Sequence, residues 1–323
     1  MGDTTVRWSD QADDVIRGDL TVAAAYVTPA GGVVVAGVAP CGLGDRDRGT
    51  LGFTTSLGLG KKLERIVRDP HVALAYHARD HGFSTSPAYV LAQGIASVDL
   101  EPSPARLQEF GPQVVRYLGE LKQGPVWDRL LREYYAERVF VDVDVARVVT
   151  WPDLGASGEP DVAGAGGPAP APPQDPPKGG TRPRVDVARV VGQLSAQPHR
   201  LLAWRGADGF PVVVPVAVAG HDTSGFRVVA PPGLLPAGGR RAGFLAHSYR
   251  PQLVGLATRM LTGWLDVADD GAAVYAPHTS KGFMAPPRKN LLLVSNGLMA
   301  KFGYWRSSRS GAAERLRALA AER

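Results

Sequence analysis

Cysteine is nearly missing from this chain of 323 residues. The lone Cys41 excludes an internal disulfide and any metal site built on thiolates, and it suits a reduced cytoplasm. No apolar run is long enough to span a membrane, and the start MGDTTVRWSDQADD has no secretory pattern. Lysine is scarce, 7 residues against 29 arginines, and with abundant Ala, Gly, Pro and Val this reads as the codon bias of a GC-rich genome. Net charge is only +5, and residues 301–323 hold six basic against two acidic side chains. The body is therefore nearly neutral, and a pI of 9.4 is no argument for nucleic acid. What remains is 44% hydrophobic and 21% charged, a soluble globular composition with length for two domains.

The most informative stretch is Gly49–Ala78, GTLGFTTSLGLGKKLERIVRDPHVALAYHA. Leu51–Thr55 is a short strand pattern, and Gly58-Leu59-Gly60 loosens the backbone after it. Leu59, Leu63, Ile66 and Val67 then recur at helical spacing, with Lys61, Arg65 and Arg68 opposite and Lys62 on the flank. Asp69-Pro70 stops the helix, and Val72–Tyr76 begins another strand. The hydroxyls of Thr54, Thr55 and Ser56 ahead of a helix N-terminus with two lysines make an anion cradle. The same pattern also fits an amphipathic crossover helix with a solvated basic face.

Around this stretch, residues 9 to 17 read as a helix capped by Ser9. Thr21–Val27 and Gly32–Val38 read as a hairpin. Ala88–Leu100 is a strand with Gly94 in its middle, where a bulge is expected. Ser103-Pro104 opens a helical insertion, 103–137, broken at Gly124-Pro125. Arg138–Trp151 alternates as a half-buried strand. Between Pro152 and Pro183, 16 of 32 residues are Gly or Pro. Such a segment is expected to be an exposed, partly extended linker. The expected domains are therefore 1–152 and 183–323, joined by 153–182.

Beyond the linker the first half recurs in outline. His199–Val218 matches the first hairpin, Gly225–Ala230 stands where GFTTS stood, and Ala242–His247 (AGFLAH) parallels VALAYH. RMLTGWLDV parallels VLAQGIASV, with Gly263 against Gly94. In place of the basic helix, however, stands PPGLLPAGGRR, whose prolines and glycines forbid a regular helix. Copy two has lost the cradle in this reading, although Arg240 and Arg241 leave some phosphate-binding capacity. The tail Ala312–Arg323 reads as a short amphipathic helix with a solvated basic surplus.

Strand, Gly-turn, strand, then GFTTS…KKLERIVRDPHVALAY, then a strand with a mid-strand Gly, resembles the pyridoxamine 5'-phosphate oxidase-like split β-barrel flavoproteins. The resemblance covers residues 20–151 and, less closely, 186–295. It implies an α+β fold, mainly β, of two tandem split β-barrels of antiparallel strands with flanking helices. It also implies a flavin phosphate against Thr54, Thr55, Ser56, Lys61 and Lys62, with the ring passing the backbone of Val38, Ala39 and Pro40. Leu59-Gly60-Lys61 stands where the family usually carries Ser-Arg-Lys. Trp151 falls where related proteins place an aromatic near the ring, and a buried core Trp is the other reading.

The chemistry so implied is hydride transfer through bound FMN, acting on a small molecule. The alternatives are coenzyme F-420, a deazaflavin, in the same fold, or a non-enzymatic flavin- or haem-binding protein. No general acid or base stands at persuasive spacing, and no metal site is expected. His77 and His81, with Arg79-Asp80 and Gly82 about them, read as structural or solvent-facing loop residues. His247 and His278 are candidate haem ligands, with a polar loop position as the alternative. YAPHTSKGF (Tyr275–Phe283) reads as a polar segment that lines a pocket or turns the chain. The two copies are expected to form a pseudo-dimer within one chain or to pair in a homodimer.

Overall fold

The computed structural model describes residues 5–120, 122–136, 138–295, 297–298 and 311–321. Helix α1 (Asp10–Gly18) is capped by Ser9, whose Oγ accepts from the Ala12 amide at 3.3 Å. It buries Ala12, Val15 and Ile16 at helical spacing. Strands β1 (Val22–Val27) and β2 (Val33–Val38) form the expected hairpin, closed by Thr28 and Gly32. Then come β3 (Gly44–Asp45), β4 (Thr50–Ser56), α2 (Gly60–Arg68), β5 (His71–Tyr76) and β6 (Tyr89–Asp99). Helices α3 (Pro104–Leu118) and α4 (Pro125–Ala136) precede β7 (Arg138–Trp151). A short β8 (Asp161–Gly164) pairs with β7 from within the Gly/Pro-rich segment, a strand of four residues, too short to show as a pattern.

The second half contains α5 (Val187–Ser195), β9 (His199–Arg205), β10 (Pro211–Pro215), β11 (Ala217–Asp222) and β12 (Gly225–Val229). These are followed by β13 (Gly238–Ser248), β14 (Ala257–Val267), β15 (Ala273–Met284) and α6 (Ala312–Ala321). All pairings are antiparallel. The first sheet runs β2-β1-β5-β6-β7-β4-β3 and the second β10-β9-β13-β14-β15-β12-β11. Position by position these are the same order, so the two halves are two split β-barrels in tandem. Both mid-strand glycines sit at register shifts, Gly94 against β7 and Gly263 against β15.

Two expectations change here. YAPHTSKGF is the body of β15 and does not turn the chain; its outer half leaves the core, so its side chains are polar without the backbone leaving the ladder. The copies also differ more than the lost helix implied. Residues 231–237 form no helix, and a tight turn joins β14 to β15 where copy one inserts α3 and α4.

The copies pack on one another within the chain. Along β1 and β5, Ala24, Tyr26, Val72 and Leu74 fill the first barrel. The alternate residues Ala23, Ala25, Ala73 and Ala75 face the second half and join its core with Leu201, Val213, Phe244 and Leu245. Tyr89 Oη donates to Val213 O at 2.6 Å and Gln93 Nε2 to Pro211 O at 2.6 Å across this seam. Among the described residues no helix is long and apolar enough to cross a membrane.

Candidate cofactor site

The threonine-rich end of β4 lies beside the start of β7, Thr54 opposite Phe140 and Ser56 opposite Arg138. Strand alternation divides its three hydroxyls. Thr54 and Ser56 project on one face, and both are engaged. Thr54 Oγ1 accepts from Arg138 Nη1 at 3.1 Å, and Ser56 Oγ accepts from the Gly58 amide at 3.2 Å. Thr55 projects on the other face with Leu51 and Phe53, and its Oγ1 is buried with no hydrogen-bond partner.

A 3-10 turn, Leu57–Leu59, leads straight into α2. Lys61 is exposed, as expected of the polar face. Lys62 is not on the flank: it is 8% exposed, with its ammonium 5.5 Å from the centroid of the Phe53 ring. Burial lowers its pKa to about 8. No carboxylate pairs with it among the described residues. Thr55 and Lys62 therefore both address the face of β4 that carries Phe53, one with an unsatisfied hydroxyl and one with an unpaired amine.

Ala39 and Pro40 follow β2, and Pro40 O accepts from the Leu43 amide at 3.0 Å. Ala39 packs into a cluster with Cys41, Phe110, Val114, Tyr117 and Phe140, which places α3 over this end of the first barrel. Arg106 of α3 holds Asp99 at 2.7 Å and Asp142 at 2.6 Å, and its guanidinium lies 4.1 Å from the Phe140 ring centroid. The structure thus gathers Ala39, Pro40, Thr54 and Ser56 near α3, and Thr55 and Lys62 on the opposite face of β4. Trp151 stands at the other end of β7, 4% exposed, 5.3 Å from the Tyr89 ring in the core shared by the copies.

In copy two, Arg240 does not retain capacity for a phosphate. It is 1% exposed, and its guanidinium donates to Ala171 O at 2.7 Å and Pro236 O at 2.8 Å. His247 is not in a polar loop but on β13, fully buried, and His77 is buried against it. The sequence held a signal for this contact, since VALAYH and AGFLAH align the two histidines. His278, half-buried on β15, lies 3.3 Å from Thr181 O through Nε2.

No protein-family model matches the sequence, and no curated protein is similar to it. Solved structures are. A pyridoxamine 5'-phosphate oxidase-related, FMN-binding protein from Nostoc punctiforme is 13% identical over 61% of this chain and 87% of its own, with a TM-score of 0.28. An F420 reductase is 20% identical over 42% of this chain and 94% of its own, with a TM-score of 0.28. A heme binding protein from Mycobacterium smegmatis is 13% identical over 91% of this chain and 98% of its own, with a TM-score of 0.32. The two curled sheets with their repeated strand order fit the tandem split barrels that the sequence resemblance implied.

Proposed function

We propose that this chain is a flavin-dependent oxidoreductase that acts on a small molecule and holds one FMN on its first copy. The observation that carries this reading is the pairing of needs at β4 and α2: a buried lysine amine with no counter-ion, and a buried hydroxyl with no partner. A phosphate answers both. Its charge keeps Lys62 protonated despite burial, Thr55 donates to one oxygen, and Lys61 adds a mobile ammonium at the rim. The bound flavin would supply the hydride acceptor and donor. A ring along Ala39–Pro40 would lie on the α3 side of β4, so the ligand would have to pass the end of that strand at Ser56 to reach Thr55 and Lys62 on the opposite face. Copy two has neither the helix nor an available Arg240, so the stoichiometry is one per chain. Leu59-Gly60-Lys61, in place of Ser-Arg-Lys, favours a second reading, coenzyme F-420 on the same residues.

Titration of the purified chain with FMN, riboflavin, F-420 and haemin tests this. FMN is expected to bind, and riboflavin, lacking the phosphate, to bind at least about tenfold more weakly. Lys61→Met with Lys62→Met should weaken FMN by about 1–3 kcal/mol, the scale of charge-assisted hydrogen bonds. Preference for F-420 with the same lysine dependence selects the second reading. Binding of haemin alone, or of FMN and riboflavin equally with no effect of the lysines, overturns both.

A further inference from the structure

Where the two copies meet, three imidazoles converge. His77 follows the end of β5, and its counterpart in the repeat, His247, lies on β13 beside His199 of β9. His77 Nε2 and His247 Nε2 are 2.6 Å apart. His77 Nδ1 is 2.9 Å from Ala75 O, and a carbonyl only accepts, so this nitrogen carries the hydrogen. Neutral His77 therefore offers its Nε2 lone pair, and His247 must donate from Nε2. That leaves a lone pair on His247 Nδ1, which is buried and has no partner. His199 Nε2 is 2.7 Å from Asp80 Oδ2, which leaves its Nδ1 as the remaining ring nitrogen.

The three ring centroids are 4.8 Å (His77–His247), 5.2 Å (His199–His247) and 5.8 Å (His77–His199) apart. Imidazoles sharing one tetrahedral ion at about 2.0–2.1 Å have centroids about 5 Å apart. The outer contacts also match: ligating histidines give their second N–H to a backbone carbonyl or a carboxylate, as His77 does to Ala75 and His199 to Asp80. Arg79, two residues beyond His77, is answered by Asp19. Among the described residues no group of three or more His, Cys, Asp or Glu already stands arranged to hold a metal ion, and His77 and His247, in contact through their Nε2 atoms, must separate to do so. Their Nε2 atoms would part to about 3.3 Å around an ion.

We propose that this seam binds a divalent transition-metal ion of the zinc class through His77 Nε2, His247 Nε2 and His199 Nδ1. The hydrogen now on His247 Nε2 passes to its partnerless Nδ1, so the ring stays neutral. The Tyr249 ring, stacked on His199 and His247 at 5.8 and 5.6 Å, lies beside the site. The site is independent of the flavin reading.

The test is titration of the full chain, stripped with a chelator, with Co2+ and then Zn2+. One Co2+ per chain is expected, with the visible absorption of a low-coordinate ion that Zn2+ displaces. Asp80→Asn changes an outer contact at a half-exposed position and should lower Zn2+ affinity about 10–100-fold. His199→Asn should lower it further, while His278→Asn, outside the seam, should leave it unchanged. Circular dichroism confirms that each variant is folded. A folded wild type that takes up no Co2+ in excess, or affinity that is the same in Asp80→Asn and His199→Asn, overturns the proposal.

Discussion

Lys62 shows at the scale of one residue how a binding site works against stability. In the folded chain its pKa is about 8, against 10.5 for the free side chain, because burial disfavours the ammonium. The unfolded chain therefore binds this proton more tightly. Below pH 8 the folded state carries the full penalty, about 3 kcal/mol at most, and the penalty fades as pH rises from 8 to 10.5. Lys62→Met should accordingly stabilise the ligand-free chain by about 1–3 kcal/mol at pH 7 and bring no gain above pH 10.5. Urea unfolding at the two pH values measures this. A variant less stable than wild type at pH 7 would mean that the amine has an interaction strong enough to offset its burial.

At the scale of elements, the repeat is carried by backbone devices as much as by side chains. A Cβ on Gly94 would stand 2.2 Å from Asp144 O, and one on Gly263 would stand 2.2 Å from Ala276 O. Each glycine lets its strand cross its neighbour at the bulge. Gly94→Ala and Gly263→Ala should each cost roughly 2–4 kcal/mol, read as a lowered midpoint in thermal or urea unfolding. A neutral result at either would mean that the local backbone can relax. These glycines were legible in the sequence because each interrupts a long apolar strand pattern. Helix α2 was legible from its period, and the loss of its counterpart from the prolines between Pro231 and Pro236. The outer half of β15 was not, since a strand that leaves its core loses the alternation by which strands are recognised. The burial of Lys62 was not legible either. Periodicity orients a side chain about its own helix axis, but only tertiary packing decides what closes over it. In the histidine seam the repeat aligns His77 with His247, but nothing in the sequence marks that the two equivalent positions meet or that His199 joins them.

At the scale of the molecule, the two barrels are joined more firmly by packing than by the chain between them. Their shared core runs from Ala23 and Tyr89 to Val213 and Leu245. Arg147 adds an ion pair to Asp208, and Gln174 ties Gly31 O at 3.3 Å to the Arg241 amide at 3.0 Å. Cleavage at a protease site placed within the exposed residues Lys178–Gly180 should leave the halves associated, co-eluting on size exclusion with unchanged circular dichroism. Separation into two species would assign the association to the covalent link instead. The contact between His77 and His247 has a consequence of its own. At a true two-fold axis, one hydrogen between two identical rings faces a double well with equal minima, and neither direction is preferred. Here the rings belong to unequal copies, and the Ala75 carbonyl lifts the degeneracy by fixing which ring donates. The pseudo-axis is thereby polarised, and the molecule has a left and a right.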